Sequence, residues 1–205
     1  RGRMKSNAAT SFVTHDDPVI QKIAEALLPL KISDGTDRQA RKGQRMAAVL
    51  MPLGKRESWN IILTQRPETM PNHAGQVAFP GGKIDPGDDG PVGAALRATH
   101  EETGLERKFV ETCGFLDIYQ TRTGFRICPV VALVRPGFSL QPEEGEVAEI
   151  FEVPLGFLMN PANHQRQGRE WEGKKRWFYA MPYEQHYIWG ATARILRGIA
   201  DRMAI

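Results

Sequence analysis

Two adjacent carboxylates, Glu101 and Glu102, stand four and five residues after Arg97 and are followed by Gly104 and Leu105. The pattern is R-x3-E-E-x-G-U, where U is a bulky aliphatic. At residue frequencies near one in twenty, its fixed positions coincide about once in 10^5 windows. A helix over this run sets Arg97 one turn from Glu101, close enough to pair. Glu101 and Glu102 then point about 100° apart, so both carboxylates can reach an ion at the helix flank. Uncompensated carboxylates facing a core are costly, and a divalent cation neutralises them. Hard oxygen donors with room for substrate phosphates describe a Mg²⁺ or Mn²⁺ site. The bland alternative, an exposed acidic pair at a helix end, opposes the helix dipole.

The elements around the pair must position it. Asp89 or Gly90 can cap the helix, Pro91 suits its first turn, and Gly104 suits its C-terminal cap. Before it runs a long segment holding Gly75, Pro80, Gly81, Gly82, Pro86, Gly87 and Gly90, the kind of loop that carries function. Met46–Leu53 and Trp59–Arg66 read as strands joined by a turn. Phe109–Thr121 and Arg126–Val134 read as strands paired through Thr121–Gly124. Val147–Val153 alternates weakly, Pro154–Met159 suits a short helix, and Arg169–Ala180 suits a hairpin turning at Gly173. Amphipathic helices are expected from Pro18, with Ile20, Ile23, Leu27 and Leu28 on one face, and over Tyr187–Met203. The organisation is then a flexible N-terminal segment over 1–17 and one domain over 18–205. Its class is α/β, with a mixed sheet between helices. Residues 31–44 read as a charged loop, or as a basic arm over a phosphate.

Composition narrows the partners. The 205 residues are 41% hydrophobic and 25% charged, as in an ordinary globular chain, and 27 basic against 24 acidic residues leave a net charge of +3. That balance argues against a nucleic-acid binder and is compatible with an anionic small molecule. No stretch approaches the roughly 18 apolar residues of a membrane helix, and no apolar signal core opens the chain, so no membrane association and a cytoplasmic location are expected. Cys113 and Cys128 lie in apolar runs without metal-type spacing and read as buried free thiols.

Residues 79–106, FPGGKIDPGDDGPVGAALRATHEETGLE, resemble the Nudix box G-x5-E-x7-R-E-U-x-E-E-x-G-U. The resemblance implies an α/β/α sandwich that hydrolyses a nucleoside diphosphate linked to another group. Two departures stand out. Gly82 to Arg97 is one residue longer than the pattern, so Asp88 or Asp89 stands in for the loop Glu. Ala98 and Thr99 replace the Glu and the aliphatic after the Arg, and that Glu is commonly a metal ligand in the family. Residues 62–82, ILTQRPETMPNHAGQVAFPGG, are similar to a stretch of the coenzyme A diphosphatases. EVAEIFEVPLGFL (146–158) and YIWGATARILRGI (187–199) look like later segments of that family, so the likeness covers most of 46–200. It implies cleavage of coenzyme A, or acyl-coenzyme A, into 3',5'-ADP and (acyl-)4'-phosphopantetheine. Pro71 stands where that family tends to have Arg.

The expected roles follow. Glu101 and Glu102 hold the metal, with the Gly82 carbonyl as a further ligand by resemblance. Glu146 is the candidate general base or extra ligand and Glu149 the second choice, against a solvated acidic loop that also includes Glu143 and Glu144. Arg66 is a candidate phosphate clamp or a structural salt bridge. His73, Gly75, Gln76, Gly81 and Lys83 belong to the substrate-binding loops, with His73 positioning the loop. Arg97, Asp88 and Gly104 are structural, Arg97 orienting Glu101 or Asp88. A homodimer is expected from the family. Two alternatives stay open: another nucleoside diphosphate derivative as substrate, because of Pro71, or a weakly active ligand-binding protein, because of Ala98.

Overall fold

Residues 17–28 and 43–204 are described by a computed structural model. The N-terminal segment over 1–17 and the charged loop over 31–44 therefore lie outside the described residues, apart from Asp17, Gly43 and Gln44. Helix α1 (Pro18–Ala26) begins where the Asp17 side chain accepts from the Val19 N–H at 3.0 Å, with Pro18 in the first turn. It buries Ile20 and Ile23.

Strand β1 (Arg45–Lys55) is the hub of the main sheet. It runs parallel to β7 (Phe125–Val134) over Arg45–Gly54, and pairs antiparallel with β2 (Trp59–Gln65) at one end and β4 (Gly81–Lys83) at the other. Strands β3 (Val77–Ala78) and β8 (Glu149–Pro154) flank β2, while β5 (Val110–Phe115) and β6 (Tyr119–Gln120) flank β7. One parallel pair among antiparallel ones makes the sheet mixed.

Alternation along the strands sorts the apolar residues onto two faces. Ala48, Leu50, Cys128, Val130 and Ala132 meet Ala94 and Ala95 of helix α2 (Gly90–Thr103). Met51, Leu53, Ile61, Leu63, Phe151 and Val153 meet Ile20 and Ile23 of α1 and Leu196 and Ile199 of α4 (Gly190–Met203). The result is the expected α/β/α sandwich. Helix α3 (Leu155–Met159) follows β8, and a second sheet of β9 (Gln165–Trp171), β10 (Lys174–Tyr183) and β11 (His186–Trp189) precedes α4.

Two expectations are corrected. The last helix begins at Gly190, because Tyr187, Ile188 and Trp189 pair with β10 as a strand and Gly190 breaks it at φ 65°. The expected strand over Phe109–Thr121 divides into β5 and β6, and β5 slips register between Thr112 and Gly114. Cys128 is buried and Cys113 half-buried, neither in a disulfide, and burial pushes the Cys113 thiol up. Among the described residues no helix is long and apolar enough to cross a membrane.

Candidate active site

Helix α2 ends where Gly104 takes the left-handed conformation (φ 72°) and donates its N–H to the His100 carbonyl at 2.8 Å. At its start Pro91 occupies the first turn and the Asp89 carbonyl accepts the Gly93 N–H at 3.1 Å, but the Asp89 side chain makes no capping bond. Asp88 is the residue that organises the loop. It accepts from the Asp85 N–H at 2.8 Å and from Arg97 Nε and Nη2 at 2.7 and 2.9 Å. Arg97 also donates to the Lys83 carbonyl at 3.1 Å and pairs with Glu101 at 3.1 Å and Asp85 at 3.3 Å. One guanidinium thus clamps the loop over 83–88 to the helix. Arg97's hydrogen bonds and the Asp85 N–H hold the Asp88 carboxyl down to about 2, and the same pair raises Arg97.

That shift fixes an acid dependence. A carboxyl depressed below its unfolded value near 3.8 contributes stability above that value, and the contribution is lost as pH falls towards 2. Asp88→Asn is therefore expected to melt below wild type at pH 6–7, with the two melting curves converging by about pH 2. A gap of equal size at both pH values in thermal melts would contradict the clamp.

The opposite flank of α2 faces the glycine loop. Ala98 and Glu102 are four apart and share this flank. Ala98 is 4% exposed, and a Cβ on Gly82 would lie 3.7 Å from its methyl. Gly81 donates its N–H to Glu102 Oε2 at 3.3 Å. A Cβ on Gly81 would come within 2.4 Å of the Ala48 carbonyl oxygen, so only glycine permits this approach to β1. The register decides which carbonyl is free. Gly82 is the cross-strand partner of Ala48, and Leu50 N–H to Pro80 O (2.8 Å) and Ile84 N–H to Met46 O (3.0 Å) bracket it two residues either side. Alternation then gives the Gly82 backbone to the ladder and turns the Gly81 backbone towards Glu102. The carbonyl expected from Gly82 is thus taken up in the sheet, and Gly81 faces the site.

Glu102 is mostly buried, and desolvation raises its carboxyl to about 7. The Gly81 N–H opposes that shift, Glu146 adds to it, Arg66 opposes it and Glu101 adds to it, in falling order. Glu146 is brought there by its loop. Gln141 N–H bonds the Thr103 carbonyl at 2.8 Å, Glu143 N–H the Glu102 carbonyl at 2.9 Å, and Ala148 N–H the Gln65 carbonyl at 2.9 Å. Arg66 follows β2, its N–H donating to the Gln76 carbonyl at 2.9 Å, and its Nε is buried with no hydrogen-bond partner among the described residues. An open groove of about 750 Å³ lies on the Glu146 side, lined by Glu101, Glu143, Glu144 and Glu146 among others, while Glu102 and Arg66 stand outside its lining.

Other expected residues lie apart. Glu101 is tied to Arg97 rather than turned to Glu102, and among the described residues no group of three His, Cys, Asp or Glu is arranged to hold a metal ion. Glu149 alternates with Phe151 and Val153, so it belongs to the sheet face opposite α2. Its carboxylate meets His186 Nε2 at 3.1 Å, and that imidazole stacks on Phe151 at 3.6 Å. His73 (φ 55°) and Gly75 (φ 66°) shape the exposed turn that leads to Gln76, and the Lys83 side chain is exposed. Asp85, a member of the Arg97 clamp, was signalled only by its loop position, and the role of the Gly81 backbone depends on register.

Comparison with known proteins gives consistent findings. The NUDIX domain model matches residues 43–174. A Nudix hydrolase NudL of Enterobacter sp. (strain 638) is 39% identical over 162 residues, covering 77% of this chain and 82% of the relative. NudL of Photorhabdus laumondii is 37% identical over 161 residues, covering 78% and 86%. The crystal structure of a MutT/nudix family protein from Enterococcus faecalis shares the fold, with a TM-score of 0.50 at 16% identity over 81% of this chain and 64% of that one.

Proposed function

The chain belongs to the NUDIX family, and on that premise we propose that it hydrolyses the diphosphate of coenzyme A or acyl-coenzyme A, releasing 3',5'-ADP and (acyl-)4'-phosphopantetheine. The observation that carries the phosphate chemistry is Arg66. Its buried Nε, beside Glu102, lacks a partner among the described residues, and a phosphate oxygen would supply one. The coenzyme A assignment rests on the likeness of residues 62–82 to the diphosphatases of that cofactor.

The donor set fits one Mg²⁺ or Mn²⁺ ion. Glu102, Glu146 and the Gly81 carbonyl offer hard oxygens, leaving positions for water and substrate phosphate. When bound, such an ion neutralises phosphate charge and acidifies water. The chain's own groups do the rest. Glu102, whose buried carboxyl is pushed up to about 7, would serve such an ion as a ligand in its ionised form. Glu146 takes the proton of the attacking water or completes the ligand set. Arg66 binds a phosphate oxygen, Arg97 keeps the loop over 83–88 in place, and Glu101, paired with Arg97, stands at the groove as an outer carboxylate. His73, Gly75, Gln76, Gly81 and Lys83 form the loops that border the substrate. The reading places the enzyme in the cytoplasm.

A second reading has its own observation. Ala98 buries a methyl group where the family's carboxylate would stand, so the protein can also be read as a slow enzyme that mainly binds its ligand. A screen of coenzyme A, ADP-ribose, NADH and nucleoside triphosphates with Mg²⁺ separates the readings. Coenzyme A is expected to give the highest kcat/KM. A preference for ADP-ribose or NADH would move the substrate to another nucleoside diphosphate derivative, and binding without turnover would favour the second reading.

A further inference from the structure

The β9–β10 hairpin turns at Glu172 and Gly173, both at positive φ (49° and 72°), so that Trp171 pairs with Lys174 across a two-residue turn. Strand β9 is an outer edge of its sheet, and every residue of it except half-buried Gln167 is exposed. Trp171 and Trp177 are 58% and 51% exposed, more than any other large hydrophobic among the described residues. A long strand edge carrying exposed tryptophans is a template for another strand. The turn also fixes which groups face out. With Trp171 and Lys174 as its hydrogen-bonded pair, Arg166, Gly168 and Glu170 turn their N–H and C=O groups away from β10.

We propose that β9 pairs with β9 of a second copy of this chain, antiparallel about a two-fold axis at Gly168, joining the two small sheets into one. The sequence of the edge is complementary to itself. In this register Arg166 lies directly opposite Glu170 of the partner subunit, and Glu170 opposite Arg166 of the partner subunit. Opposite charges directly across a strand pair stabilise it. Among the described residues Glu170 has no salt bridge of its own. Arg166 lies 4.5 Å from the Trp177 ring.

Gly168 at the axis leaves the backbones free to meet. A Cβ there would stand 2.6 Å from Lys175 Cε and 3.3 Å from the Trp177 ring, so the lysine stem and the indole both lie across this glycine. In the pair the two Trp177 rings come together over the axis, which covers their exposed area. An isologous contact needs one patch to complement itself. The Arg-x-Gly-x-Glu spacing does so, which is why a second copy is the occupant.

Sedimentation of the full chain over a range of concentrations tests this without reference to catalysis. Wild type is expected to dimerise. Arg166→Glu and Glu170→Arg each set like charges across the axis twice, and each should weaken dimerisation by about tenfold or more. Mixed in equal amounts, the two variants should form a heterodimer of near wild-type affinity, because every facing pair is then complementary. The double variant Arg166→Glu/Glu170→Arg should dimerise like wild type. All of these positions are exposed, so the fold should survive, and circular dichroism checks it. A wild type that stays monomeric, or a dimer indifferent to both single substitutions and therefore formed elsewhere, overturns the proposal.

Discussion

Glu102→Gln is expected to lower metal-dependent hydrolysis by more than about 100-fold, beyond the roughly 10–100-fold effect of outer-shell partners, while stabilising the metal-free protein above neutral pH. Both effects come from one buried carboxyl raised to about 7 from its ordinary 4.5. A group whose folded pKa is raised contributes stability that is present below its unfolded value and lost as pH rises through the folded value. In the metal-free wild type this loss spans pH 4.5 to 7. At about 1.36 kcal/mol per pKa unit the penalty has a ceiling of about 3 kcal/mol above pH 7. Glutamine stays neutral and can still accept the Gly81 N–H. The variant should therefore match wild type near pH 4 and exceed it at pH 8. Metal affinity of the wild type should rise up to about tenfold per pH unit below 7 and level off above it. A Glu102→Gln protein with the wild-type rate would sink the assignment.

Ala98→Glu has the second large effect, in the opposite direction. Residue 98 lies one turn before Glu102 on the same flank, packed against Gly82. A carboxylate there joins Glu102 and Glu146, so the rate at limiting metal should rise at least about tenfold. Without metal the same variant should be less stable, because another carboxylate is forced into a partly buried anionic cluster. If Glu146 already fills that coordination role, Ala98→Glu is neutral or harmful and Glu146→Gln becomes the damaging change. Metal titrations of both variants against wild type decide between them. An Ala98→Glu protein with unchanged rate and unchanged metal dependence would show that position 98 is no ligand site.

Much of this site is legible in the sequence because its signals are local. The spacing of Arg97, Glu101 and Gly104 fixes a helix, one ion pair along it and its stop, and all three are found. The hairpin at Gly173 is equally local. What escapes the sequence depends on partners distant in the chain. Tyr187–Trp189 fits a helical pattern as well as an extended one, and only pairing with β10 makes it a strand. Gly81 and Gly82 are indistinguishable until the register with Ala48 sends one carbonyl into the sheet. Glu146 and Glu149 look equivalent in one acidic run. The start of β8 separates them, leaving Glu146 near Glu102 and giving Glu149 to His186.

The most direct test is product analysis by liquid chromatography and mass spectrometry after incubating the purified chain with coenzyme A and Mg²⁺. Equal amounts of 3',5'-ADP and 4'-phosphopantetheine are predicted, with none formed when EDTA replaces the metal. Intact coenzyme A beside hydrolysed nucleoside triphosphates, or the same products formed equally in EDTA, would contradict it.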